Sequence, residues 1–389
     1  MNVFIVPSWY PSREHPYTGI FFKEQARLLG REKANWKIGI SLWGSHEERL
    51  LLRASRPIHS TLQAISKKPI KPFHQRLDEN VVEFFTPAYT WTRKIKSGNI
   101  DGIEQANEQN LKDFIDYFGK PDIIHAHVAY PGGEIARRLS AKHQIPYVIT
   151  EHMSPFPMGS FKKDFRSTLL PAYLSADRVL GVSNALVEAL RSHGIKAQPT
   201  SNFIDDQFYQ PDLSQKADVF TIAWVGRLED QKQPNKMLKI ASELLEQGVP
   251  FRLEMVGDGR LYKPLMKASR NLNDVISWTG ALSSEEIRNV LQRAHVFVNT
   301  SAHENQPVSI LEALSCGLPV ISFDWEGANE LIADQNGQLV KDEREMTQVL
   351  ANMARNHSFD AHSIRTEFLN KWGSKKVIDE LAEIYLTNK

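Results

Sequence analysis

Cysteine is almost missing from these 389 residues: Cys316 stands alone. One thiol excludes an intramolecular disulfide and a cysteine-built zinc site, and it points to a reducing compartment. No apolar run approaches the roughly 20 residues that a membrane-spanning helix needs. The opening Met1-Asn2-Val3-Phe4-Ile5-Val6-Pro7 has neither the basic flank nor the long apolar stretch of a secretory leader, so cytoplasm is the expected address. Low-complexity tracts are missing as well, and 41% hydrophobic with 24% charged residues is an ordinary globular composition. The chain is too long for one compact core and suits two domains.

Net charge is also nearly missing, at +1, but the total hides a division. Residues 1–200 hold 27 Lys and Arg against 19 Asp and Glu, and residues 201–389 hold 20 against 27. Within 53–96 nine basic residues face three acidic ones, with Phe73, Phe84, Phe85, Tyr89 and Trp91 interleaved. Taken alone, this stretch reads as a solvated face with some core aromatics. The sharper reading is peripheral contact with an anionic membrane, the inner face of the cell membrane, or an anionic acceptor, at about 1 kcal/mol per basic residue near a charged leaflet. No segment has the pattern of a nucleic-acid module, so nucleic acid is not an expected partner.

Short β-rich apolar runs alternate with helical patterns throughout, which predicts parallel sheets covered by helices on both faces. Strands are expected over 3–6, 123–126, 147–150 and 179–182. An amphipathic helix over 20–29 has Phe21, Phe22, Ala26 and Leu28 among its apolar positions. A polar stretch, 206–218, reads as a linker. A second series follows, with strands over 220–225, 251–256, 275–278, 296–299 and 320–323, and helices around 237–245, 285–293 and 309–314. The tail over 375–386 is amphipathic. The fold class is α/β: two doubly wound domains facing a cleft, with ligands at the carboxyl ends of the strands.

Chemistry gathers in two places. In residues 301–320, SAHENQPVSILEALSCGLPV, a strand leads through a polar loop into a helix, with Pro307 near its start and Gly317 at its expected left-handed end. A helix N-terminus there offers backbone N–H groups and a positive dipole end, which suits a phosphate. Glu304 and Glu312 bracket it; each taken singly reads as a capping or surface group. The second place is residues 224–232, where Gly226 ends a strand and Arg227 and Lys232 follow. A fork-shaped and a point-like cation suit a diphosphate, although spacing alone leaves a solvated cation pair equally open.

Several motifs occur together: Gly226-Arg227-Leu228-x3-Lys232, Val256-Gly257-Asp258-Gly259, Thr279-Gly280 and Glu304-x7-Glu312. They are joined by Ala176-Asp177-Arg178-Val179 with Val182-Ser183, by Asn202, Asp205 and Phe208, and by Cys316-Gly317-x-Pro319-Val320. In this order and at these separations the chain resembles glycosyltransferase family 4, the retaining nucleotide-sugar enzymes of GT-B fold. The resemblance spans nearly the whole chain and is most specific over 220–340. It implies an acceptor-binding Rossmann-like domain over 1–204 plus a returning C-terminal helix, 373–389, and a nucleotide-sugar-binding domain over 205–372. It also implies transfer of a sugar from a UDP- or GDP-linked donor to a lipid-linked or surface-polysaccharide glycan.

Residue by residue, the resemblance assigns Arg227 and Lys232 to the donor diphosphate, where they would stabilise the leaving nucleotide. Glu312 would bind the ribose hydroxyls, and Glu304 would sit near the donor sugar. Gly19 would let the first domain's backbone approach the diphosphate, and His152 would face the reacting sugar. Gly257, Gly280, Ala281 and Leu282 would shape the base pocket, with Gly226 and Asn305 completing the donor contacts. His127 is a candidate for the acceptor side.

The chain departs from the family where Asn305-Gln306-Pro307 replaces Gly-Phe-Gly. Pro307 has no N–H, so Val308 or Ser309 must supply the backbone donor. Phe203 stands at a usual glycine, and Asn329-Glu330 where Pro-Glu is common. No Asp-x-Asp pair is available for a divalent ion beside a diphosphate, so the reaction is expected to need neither metal nor cofactor. His125 and His127 are assigned to opposite faces of their strand, which would bar them from sharing a metal; His125 reads as a hydrogen-bonded structural group. Two rivals stay open: a nucleotide-sugar epimerase of the same fold, with no acceptor groove, and a non-catalytic nucleotide-sugar binder. The joint presence of Arg227, Lys232, Glu304 and Glu312 argues against the binder.

Overall fold

Two sheets organise the computed structural model, which describes residues 1–45, 47–52, 70–91, 93, 96–157, 159–161, 163–356 and 359–387. The first sheet has eight strands in the order Ala197–Pro199, Arg178–Gly181, Tyr147–Glu151, Ile123–His127, Asn2–Pro7, Lys37–Leu42, Val81–Phe85 and Phe73–Asp78. The second has six, in the order Ile276–Gly280, Arg252–Val256, Thr221–Val225, Val296–Asn299, Val320–Phe323 and Gly337–Val340. All neighbouring strands run parallel except Phe73–Asp78, which lies antiparallel to Val81–Phe85 at the edge. The expectation of purely parallel sheets fails there because a two-residue turn can join only antiparallel strands.

In the second sheet the doubly wound arrangement is visible within a single strand. Ile222 and Trp224 join one apolar cluster, with Met237, Ile240 and Leu244 of the helix Asn235–Glu246. Ala223 joins another, with Ile310, Leu311 and Leu314 of the helix Val308–Ser315. The period-2 alternation thus feeds two cores, one on each face, and the strand must be apolar throughout. The first sheet shows the same logic on one face, where Phe4, Val6, Phe84 and Ile124 pack with Phe114 of the helix Ile100–Phe118.

Contacts divide the chain into two units. One comprises Met1–Val182, Leu186–Thr200 and the chain from Ile378 onward; the other comprises Ser183–Ala185 and Ser201–Val377. The final helix, Ser374–Leu386, is tied into the first unit by Asp379, whose carboxylate pairs with Lys33 at 2.5 Å, and by Tyr385, whose hydroxyl lies 2.5 Å from His125 Nδ1. The stretch 206–218, expected to be a linker, is instead anchored within the second unit. Asp206 is buried and its carboxylate accepts from Ser374 N at 2.6 Å, while Arg365 donates to Tyr209 O at 2.9 Å. The buried Asp206 and Tyr209 hold it there, while Gln207, Gln210, Ser214, Gln215 and Asp218 face solvent.

Of the basic stretch over 53–96, residues 53–69, 92, 94 and 95 lie outside the described residues, and with them Lys67, Lys68 and Lys94. Phe84 and Phe85 are buried strand residues, so these two aromatics belong to the core. Among the described residues, no helix is long and apolar enough to cross a membrane.

Two glycines at the same backbone angle allow local strain and packing to be separated. Gly317 (φ +68°) follows the helix Val308–Ser315, and a Cβ there would lie 2.5 Å from Ala361 O. Gly248 has the same φ and open space around it. Gly248→Ala should therefore cost only the left-handed penalty of about 1–2 kcal/mol. Gly317→Ala should cost about 3–4 kcal/mol, because the helix Ala361–Trp372 must also shift. Urea unfolding of the two variants checks this; equal losses would remove the packing argument.

Candidate functional site

In the second unit, turns at the carboxyl ends of three adjacent strands are stitched together through backbone bonds. Gly226 N donates to Val256 O at 3.0 Å, and Gly257 N donates to Gly280 O at 2.8 Å. Gly257 has φ +136°, and a Cβ there would lie 1.9 Å from Gly226 O, so no side chain can occupy this position without parting the two turns. The half-buried Ala281 and Leu282 continue from Gly280 to Ser283, which caps the helix Ser284–Arg293 in a reciprocal pair with Glu286. The structure thus brings Gly226, Gly257, Gly280, Ala281 and Leu282 to one edge of the sheet.

The turn after Gly226 is fastened to the loop after the neighbouring strand Val296–Asn299. Gln231 Nε2 donates to His303 O at 2.9 Å, Ala302 N donates to Gln231 O at 2.8 Å, and Thr300 Oγ1 donates to Lys232 O at 2.7 Å. Across this seam Lys232 Nζ pairs with Glu304 Oε1, the two side chains being 21% and 9% exposed. Arg227 stands out from the same edge at 66% exposure, with Glu229 3.7 Å away.

Beyond Glu304 the chain enters the helix Val308–Ser315 through Pro307, with no side-chain cap, while Asn305, Val308 and Ser309 are half-buried. Ile310 N and Leu311 N turn back to Pro307 O, and no acceptor among the described residues engages the N–H groups of Val308 and Ser309. Glu312 lies in the second turn, buried at 8% exposure. Lys232, Glu304 and the unclaimed helix N-terminus therefore occupy one short stretch of two joined loops, an arrangement that accepts an anion. Gln306 was not singled out from the sequence. Its side-chain oxygen accepts from Asn202 N at 2.5 Å, and its amide donates to Ser201 Oγ at 2.9 Å, fixing the loop from behind.

The first unit holds a second cluster, on the strands Ile123–His127 and Tyr147–Glu151. The sequence reading placed His125 and His127 on opposite faces; the structure corrects it, with their rings 4.3 Å apart. Residues two apart in a strand share a face. His125 accepts from or donates to Tyr385 at Nδ1 and contacts Thr150 Oγ1 through Nε2 at 2.8 Å, so it is held structurally at both nitrogens. His127 Nδ1 meets His152 Nε2 at 3.1 Å, and Phe22 packs against both rings, at 4.5 and 5.2 Å. Glu151, fully buried, accepts from the N–H groups of Ala129, His152 and Met153, which fixes the turn carrying His152. Gly19, at φ +69°, opens the helix Ile20–Glu32 that supplies Phe22. Directly after His127, Val128 has φ 69°, a left-handed angle that a β-branched residue rarely adopts and that nothing in the sequence signals. Among the described residues, no three His, Cys, Asp or Glu side chains gather as metal ligands.

Burial keeps these imidazoles neutral. It pushes His125 and His152 from 6.5 down to about 3, and His127 well below its ordinary value, the neighbouring histidines adding to the latter two. The unfolded chain takes up these protons below pH 6.5 and the native state refuses them until about pH 3, so stability is full above 6.5 and is lost on acidification. His125 and His152 should each contribute a loss of about 1.4 kcal/mol per pH unit in that window. Urea unfolding between pH 7 and 5 should show this slope, reduced by one proton in His125→Asn; a flat wild-type profile would contradict the assignment.

Comparison with known proteins bears on the family and the fold. Residues 219–356 match the family model of glycosyl transferases group 1, and residues 75–208 match that of Glycosyltransferase Family 4. The Bacillus subtilis (strain 168) glycosyltransferase TuaC, named provisionally for teichuronic acid biosynthesis, is 26% identical over 88% of this chain and 85% of its own length. The Escherichia coli UDP-Gal:alpha-D-GlcNAc-diphosphoundecaprenol alpha-1,3-galactosyltransferase is 26% identical over 81% of this chain and 86% of its own. In fold, the crystal structure of Anabaena Alr3699/HepE with UDP and glucose matches 99% of each chain at a TM-score of 0.70 and 16% identity. Two Rossmann-like α/β units with a parallel-stranded sheet in each, together with these matches, show that the chain belongs to the family 4, group 1 glycosyltransferases of GT-B fold.

Proposed function

We propose that the protein transfers a sugar, with retention, from a nucleotide-diphosphate sugar to a lipid-linked or polysaccharide glycan. The observation that carries this reading is the second unit's anion site, in which Lys232, Glu304 and the uncapped N-terminus of Val308–Ser315 are held by two loops hydrogen-bonded to each other. The donor's diphosphate takes the N–H groups of Val308 and Ser309 together with Lys232 and Arg227. Glu312 receives the ribose hydroxyls, and the turns at Gly257 and Gly280 receive the UDP or GDP base. The relatives support the substrate classes: the E. coli enzyme's name gives a UDP-sugar donor and a diphosphate-lipid acceptor, and the Anabaena structure holds UDP.

In the reaction the bond between the anomeric carbon and the diphosphate oxygen breaks, and negative charge grows on the departing nucleotide. Arg227, Lys232 and the helix N–H groups meet that growing charge, and so stabilise the transition state more than the ground state. The acceptor hydroxyl attacks the face that the nucleotide leaves, and its proton passes to a phosphate oxygen of the leaving group. Neutral His152, oriented by His127 and the Glu151 turn, is assigned to the reacting sugar, where an uncharged imidazole can hydrogen-bond a hydroxyl without opposing the positive charge of the anomeric centre. Glu304, released in part from Lys232 as the diphosphate binds, meets the donor sugar's hydroxyls.

Lys232→Ala and Arg227→Ala should each lower kcat/KM for the donor by about 2–4 kcal/mol in transition-state terms, with the fold kept. Unchanged kcat/KM in both variants would sink the diphosphate assignment. Because these cations and N–H groups occupy the place of a metal's charge, turnover should persist in excess chelator. Loss with EDTA and rescue by Mg²⁺ or Mn²⁺ would overturn metal independence.

A further inference from the structure

The helix Val308–Ser315 begins without a side-chain cap, and the loop leading into it is fastened by a reciprocal amide pairing. Gln306 Oε1 accepts from Asn202 N at 2.5 Å, while Asn202 Nδ2 donates to Gln306 O at 2.9 Å. Gln306 Nε2 completes the set by donating to Ser201 Oγ at 2.9 Å. Asn202 is 4% exposed and Gln306 is half-buried, so water competes weakly for these bonds. The carbonyl of Gln306 belongs to the peptide group that joins it to Pro307. Holding that carbonyl orients the planar peptide, and Pro307, buried and with φ −68° set by its ring, carries the orientation into the first helical turn. The N–H groups of Val308 and Ser309 are therefore aimed by contacts made at residue 306. Asn202 also lies at a boundary. Thr200, whose N–H is held by Gly181 O at 2.9 Å, ends a segment of the first unit, and Ser201 begins the second.

We propose that Gln306 and Asn202 are positioning residues for the donor's diphosphate. They set the direction of the Val308 and Ser309 N–H groups, and through the same bonds nucleotide binding is felt where the chain enters the second unit. The inference rests on the donor reading above and goes beyond it, since neither side chain is assigned a contact with the donor. A loose loop loses backbone entropy when an anion orders it; a loop already held in place loses little, and the difference appears as affinity. Binding and pairing are linked reciprocally: a pair that favours the bound nucleotide is itself favoured by the nucleotide. The chemistry of the pairing accounts for the residue at 306. Its side chain must accept at one terminal atom and donate at the other, which a carboxamide does. A carboxylate would lose the donor to Ser201 and add a second negative charge beside Glu304. An aromatic ring, as in the Gly-Phe-Gly that Asn305-Gln306-Pro307 replaces, could form neither bond.

The test uses the full chain as wild type, as Gln306→Met, as Asn202→Ala and as the double variant. Gln306→Met keeps the length of a half-buried side chain and removes only its polar end, so it decides the question even where Asn202→Ala fails to fold. Calorimetric titration with UDP and with GDP should show binding of at least one by the wild type. The Kd for that nucleotide should rise about tenfold in each single variant. In the double variant it should rise no further, because the two side chains act as one unit. A second measurement separates this role from a merely structural one. Hydrogen exchange at the Asn202 amide should slow when the wild type is saturated with the nucleotide, and should not respond in saturated Gln306→Met. A Kd in Gln306→Met within twofold of the wild-type value would overturn the proposal while the donor reading stands. So would a wild-type Asn202 amide indifferent to bound nucleotide. A wild type that binds neither UDP nor GDP would instead overturn the donor reading itself.

Discussion

The ion pair between Lys232 and Glu304 is the contact on which the second unit's site depends. Its partners come from the loops after two hydrogen-bonded parallel strands, Thr221–Val225 and Val296–Asn299, and neither side chain is open to solvent enough for water to replace the other. At such burial, removing one partner leaves an uncompensated charge, and this penalty is larger than the modest gain from forming the pair. The pair is also the point at which a ligand can act. On the proposed function, a donor diphosphate would offer Lys232 a more strongly charged partner and free Glu304 to turn to the donor sugar. The hydrogen bonds of Gln231, Ala302 and Thr300 hold the two loops together independently of this ion pair.

The first unit uses the opposite physics. Three imidazoles, which in water would take up protons just below neutrality, are packed against Phe22 and against one another, and burial keeps them uncharged. A cluster of buried cations would repel itself, so neutrality is a condition of the packing. Glu151 makes this arrangement specific: its carboxylate, buried among three backbone N–H groups and Tyr173, sets the turn through which His152 reaches His127. The left-handed Val128 next to His127 adds local strain that the surrounding sheet must hold. One unit thus gathers cations and N–H groups at a helix start, and the other gathers neutral hydrogen-bonding side chains at the ends of its strands.

Much of this was legible in the chain itself. Apolar alternation, helical spacing and the ordered Gly226, Gly257, Gly280, Glu304 and Glu312 motifs determine an α/β chain of two doubly wound units and single out the loops of the candidate site, because strand periodicity, left-handed turns and helix stops are local properties. The edge strand Phe73–Asp78 escaped notice, since a strand with exposed polar residues on its face lacks the apolar signal. The linker expected over 206–218 proved to be anchored, because the Asp206 carboxylate accepts from Ser374 N and the Tyr209 carbonyl accepts from Arg365. Tertiary structure alone decided which groups meet: that Lys232 pairs with Glu304, that Gln306 braces Asn202, that His127 finds His152, and that Tyr10 reaches Glu83. These contacts span tens of residues, and pairing across such separations is set by strand order and register, which no local pattern in the sequence encodes.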